Sequence, residues 1–136
     1  MKLFVLPLVL AAFQVVSMQL ASAEPVQVTL VCTVTDAGDG DLAEMICRQA
    51  AEILGAEAGL LVDRAAHVPE ASDRAWVEIL ASVTSQQALR ATVAWQSEDG
   101  IRGTSTELEG GVDGATFNDG ILHMLVTALL KQTPFL

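Results

Sequence analysis

The sequence predicts a single α+β domain in which a mostly antiparallel sheet of four to five strands carries two helices on one face, in the order β-α-β-β-β-β-α. Three observations lead there. Residues 76–108 read as three consecutive strands joined by short polar turns. A β-branched run precedes them at 26–34. Two segments with helical spacing, near 42–56 and 121–131, flank the strand region.

The first strand reads Val-Gln-Val-Thr-Leu-Val-Cys-Thr-Val from Val26. Val26, Val28, Leu30 and Cys32 share one face at period two, with Gln27 and Thr29 opposite. Asp36-Ala-Gly-Asp-Gly-Asp then breaks the run. Asp41 and Glu44 stand in the D-x-x-E spacing of a capping box. Leu42, Met45, Ile46, Gln49, Ala50, Ile53 and Leu54 follow at helical spacing, so a helix is expected from about Leu42 to Ala56, ended by Gly55 or Gly59. Leu60-Leu61-Val62 reads as a short second strand, which would close a β-α-β unit if it runs parallel to the first. Residues 65–73 read as a loop.

In the central region Val77, Ile79, Ala81 and Val83 alternate with Trp76, Glu78, Leu80 and Ser82. Leu89, Ala91, Val93 and Trp95 alternate with Arg90, Thr92, Ala94 and Gln96. Asp99-Gly100 is a hairpin signal, because the turn needs positive φ and Gly adopts it without strain. The run from Ile101 to Leu108 is rich in Thr and Ser and charged at Arg102, Glu107 and Glu109, as suits a sheet edge. Glu109 to Gly114 is a Gly-rich connection. Thr116 and Asp119 mark the second helix start, and Ile121 to Lys131 is apolar almost all round. Such a helix is expected to be buried on several sides, with a partner surface as the sharper alternative.

Residues 1–23 have the form of a cleaved secretory signal peptide: Lys2, an apolar run from Leu3 to Val16, and Ala21-Ser22-Ala23 before Glu24. The run is short for a bilayer span, which needs about 20 residues. The expected organisation is therefore a leader at 1–23 and one domain at 24–136, periplasmic or secreted, with no membrane span after cleavage. Seventeen acidic residues stand against seven basic ones, a net charge of −10. That balance disfavours nucleic acid and anionic membrane surfaces. The two cysteines, Cys32 and Cys47, are expected to form a disulfide in an oxidising compartment and to pin the first helix to the first strand.

No catalytic motif, cofactor motif or metal signature is present. Asp36, Asp39, Asp41 and Glu44 are the densest set of oxygen ligands, but they depart from the helix-loop-helix calcium order. His67 and His123 are the only histidines. His67 is expected to be an exposed loop residue, His123 a partly buried one. Three functions are ranked from these features. The first is an exported, non-catalytic interaction or assembly module, its partner another envelope protein or itself. Its candidate surface is the edge strand (Ile101, Thr104, Thr106) and the last helix (Leu122, Val126, Leu130). The second is a small-ligand or cation binder using the acidic 36–44 loop. The third is a small hydrolase using His67 with Asp63 or Asp73.

Overall fold

The computed structural model describes residues 26–35, 41–70, 74–84, 88–110 and 118–136. Six strands and two helices follow in the order β1 (Gln27–Thr35), α1 (Asp41–Ala58), β2 (Leu61–Arg64), β3 (Ala75–Val83), β4 (Leu89–Gln96), β5 (Arg102–Thr104), β6 (Leu108–Gly110) and α2 (Asp119–Leu130). The order follows the expected one with one strand more: five strands, not four, stand between the two helices. The sheet order is β2-β1-β3-β4-β5, with β6 also on β4.

The sheet is mixed: three of its five strand pairs are antiparallel, in keeping with the expectation, and the two made by β1 are parallel. β1 runs parallel to both of its neighbours, β2 and β3. The pairs from β3 onward are antiparallel. Period-two alternation is the same in either kind of ladder, so it could not separate them. Four consecutive residues of β1, Val28 to Val31, are buried. α1 supplies the crossover from β1 to β2 that parallel pairing requires.

The run from Ile101 to Leu108 forms two short strands instead of one. Between them Ser105 bonds Val93 twice: its N–H donates to the Val93 carbonyl (2.8 Å), and its Oγ accepts from the Val93 N–H (2.9 Å) while its hydroxyl donates to the Thr106 carbonyl (2.9 Å). The register moves by one residue across this break. Ala94 pairs Thr104 before it, and Ala91 pairs Leu108 after it. This is a β-bulge, and its effect is to change which side chains face the core. Gly103 lies beside Trp95 on the helix face, where a Cβ would run into the indole ring. After the bulge Leu108 also reaches that face and packs on the core, while Glu107 and Glu109 approach Arg90 at 3.9 and 3.5 Å.

Both helices pack on one face of the sheet. The core between the layers joins Val28 and Leu30 of β1, Val77 and Ile79 of β3, and Leu89 and Val93 of β4 to Ile46, Ile53 and Leu54 of α1 and Leu122, Leu129 and Leu130 of α2. The Asp99-Gly100 turn forms as expected. Gly100 has φ +81°, and its N–H donates to the Ser97 carbonyl at 3.0 Å. α2 begins at an Asn118 cap whose Oδ1 accepts from the Ile121 N–H at 2.9 Å. It ends where the Thr133 hydroxyl donates to the Leu130 carbonyl at 2.6 Å.

Candidate interaction surface

α1 is fastened to the sheet by two different bonds. Cys32 and Cys47 form a disulfide, with Cα atoms 5.7 Å apart, an ordinary separation for a bridge. Cys32 falls on the helix face of β1 because it is in step with Val28 and Leu30, and Cys47 lies in the second turn of α1. One turn earlier, Glu44 takes a two-point pair from Arg64 of β2, at 2.9 and 2.6 Å. This corrects the capping-box expectation: Asp41 is already helical, and the Glu44 carboxylate reaches across to β2 rather than back to the helix start. The hydrogen bonds from Arg64 hold the Glu44 carboxyl below its usual pKa, and the same pair raises that of Arg64. An open cleft of about 480 Å3 lies over this junction, lined by Ala43, Glu44, Arg64, Ala65 and both cysteines.

α2 is held differently. Its N-terminal end faces α1, with Arg48 3.8 Å from Asp119 and His123 Nδ1 3.0 Å from Gln49 Oε1, the imidazole N–H as donor. His123 is exposed rather than partly buried, though this contact satisfies one ring nitrogen. Its far end is tied to the bulged edge, where Gln132 Oε1 accepts from the N–H and hydroxyl of Thr106 at 3.2 and 3.1 Å. Between these ties, one stripe of α2 is bare. Ile121, Met124, Leu125 and Ala128 border an open, largely apolar cleft of about 380 Å3 whose other wall is Leu108 to Gly110 of β6. Met124 is 74% exposed.

The six residues nominated from sequence as a partner surface divide evenly. Ile101, Thr104 and Thr106 are exposed on the sheet edge. Leu122, Val126 and Leu130 are at 0, 1 and 0% exposure and belong to the core. The reason is periodicity. Residues 122, 125, 126, 129 and 130 form the i, i+3, i+4, i+7, i+8 stripe that seats a helix on a sheet. The residues left outside it, Ile121, Met124 and Ala128, border the surface cleft together with Leu125 from the margin of that stripe. That stripe could be read from the sequence, and Met124 could have been found with it.

The other candidate residues do not converge. His67 is exposed in the loop after β2 and makes no side-chain hydrogen bond with Asp63. Asp73, the alternative partner for His67, lies outside the described residues, as do Asp36 and Asp39 of the acidic loop, Thr116, and the leader at 1–23. Among the described residues no three His, Cys, Asp or Glu side chains stand close enough to hold a metal ion. No described helix is long and apolar enough to cross a membrane.

No protein-family model matches the chain, and a search of curated proteins gave no match. Solved structures do share its fold. A single-substitution variant of the PelC dodecamer from Paraburkholderia phytofirmans aligns with a TM-score of 0.53 at 15% identity, over 79% of this chain and 88% of that one. The PelC dodecamer from the same organism, in a second crystal form, aligns with a TM-score of 0.50 at 14% identity over the same shares. At that identity the likeness is one of fold alone.

Proposed function

We propose that this protein is an exported, non-catalytic module of the cell envelope that works by binding protein, and first of all by assembling with further copies of itself. The observation that carries the reading is the bare apolar stripe of α2 beside β6, with Met124 exposed in the middle of a helix whose opposite stripe is fully buried. A soluble chain rarely leaves a contiguous apolar cleft open at a sheet edge unless something covers it. The fold neighbours support self-assembly as the first form of that reading, since both are described as dodecamers. The disulfide supports an oxidising compartment, in agreement with the leader-like first 23 residues.

Sedimentation velocity on the oxidised protein tests this. The expected result is a species larger than one chain that grows with concentration and is lost in Met124→Glu, while the circular dichroism spectrum is unchanged. A protein that stays monomeric throughout the micromolar range contradicts self-assembly.

A further inference from the structure

We propose that the Cys32–Cys47 bridge is a thiol–disulfide exchange site on the folded chain, open to a dithiol that enters the cleft beside α1 and attacks Cys32 Sγ. Access is the first argument, because exchange rates follow access to the attacked sulfur. Both cysteines line the open cleft of about 480 Å3, and three of its other lining residues, Ala43, Ala65 and Ala66, carry only a methyl group to shield them. Ala65 and Ala66 are themselves exposed, in the chain that leaves β2. The two sulfurs are not equivalent. Cys47 is 4% exposed and belongs to the core, whereas Cys32 is half-buried on β1 and only packs against that core. Attack therefore falls on Cys32, and Cys47 is the leaving group.

The exchange moves two electrons. A thiolate of the dithiol bonds to Cys32 Sγ as the Cys32–Cys47 bond breaks, and the bonding pair leaves on Cys47 Sγ, which takes a proton from water. The second thiol loses its proton and attacks the reagent's own sulfur in the mixed disulfide. Cys32 then leaves as a thiolate and is protonated in turn. The protein ends with two thiols, and the dithiol ends as its own internal disulfide. The charges of the cleft bear on both steps. Arg64 and Glu44 stand in its wall, bound to each other at 2.9 and 2.6 Å. A guanidinium favours a thiolate that arrives or departs, and a carboxylate opposes it. Paired, the two effects offset one another, so each residue tunes the rate in its own direction. Opening the bridge removes the covalent tie of α1 to β1 and leaves its ionic tie to β2.

The test follows reduction of the oxidised full chain by dithiothreitol, with iodoacetamide trapping and mass spectrometry, at urea concentrations below the unfolding transition. Exchange on the folded chain predicts a rate constant that is nearly flat across these concentrations. Exchange that waits for unfolding would be slower than in the urea-unfolded chain by the unfolding equilibrium constant, about a thousandfold or more, and would climb steeply with urea. That result overturns the proposal. Two surface variants then separate charge from stability. Glu44→Gln and Arg64→Gln break the same ion pair, but the first leaves the guanidinium unopposed and the second leaves the carboxylate unopposed. The proposal predicts that Glu44→Gln reacts severalfold faster than wild type and Arg64→Gln severalfold slower. Mere loosening of α1 would speed both. Both variants faster, or neither changed, overturns the cleft as the route of attack.

Discussion

The two helices lie on the same sheet face and yet are held in unlike ways. α1 is fixed by bonds as well as by packing: a disulfide to β1 and a two-point ion pair to β2. α2 is held by its buried leucines, an N-terminal cap and polar ties at its two ends, and one stripe of it is bare. The difference teaches where this chain has surface to spare. A helix needs only one apolar stripe to seat on a sheet. α1 meets that need and turns charged residues outward, whereas α2 carries apolar residues beyond it.

The sharpest way to break this comparison is to truncate α2 on each stripe in turn. Leu130→Ala empties a fully buried position and should cost about 2–5 kcal/mol in chemical denaturation. Met124→Ala, on the bare stripe, should stay within about 0.5 kcal/mol when measured on the dilute monomer. Equal costs at the two positions would mean that Met124 is packed within its own chain.

The disulfide comes next. It closes a segment with a sequence separation of 15 residues, so in the chain-entropy model its loss destabilises by roughly 3 kcal/mol. Paired Cys32→Ala and Cys47→Ala substitutions should lower the unfolding midpoint accordingly. Loss of the bridge should speed amide exchange in α1 more than in α2, which would show that the fastening is local.

The smallest effect belongs to Glu44 and Arg64. Their pair is exposed, and surface pairs contribute little. Its sign is still testable. The Glu44 carboxyl is held below its ordinary value of 4.5, so its contribution is present above that pH and is lost as pH falls through the lowered folded value. Wild type should therefore be slightly more stable than Glu44→Gln at neutral pH, and the two unfolding curves should converge on acidification.

Much of this contrast is written in the residues. The alternation of Leu89 to Gln96 gave β4 with its bounds intact, and Asp99-Gly100 gave the turn, because both depend on local geometry. Cys32 and Cys47 were legible as a pair because no other cysteine competes. The antiparallel run from β3 onward was legible from its short connections, whereas the parallel pairing of β1 with β3 was not, since a parallel and an antiparallel ladder impose the same alternation and differ only in long-range pairing. The bulge was hidden for a related reason. It depends on Ser105 facing Val93, a contact that exists only once β4 is in place. The exposed edge and helix residues were half legible. The edge residues Ile101, Thr104 and Thr106 announce themselves by polarity and position, but in an almost wholly apolar helix the buried stripe must be subtracted before the bare one appears.

The measurement closest to the central claim is site-specific photo-crosslinking in the living host, with the reactive group placed at Met124 and, as a control, at Leu80, an exposed apolar residue of β3 away from the α2 cleft. The account predicts adducts from position 124 at whole multiples of the chain mass, and no such adducts from position 80. Adducts of equal yield from both positions, or none from position 124, would contradict it.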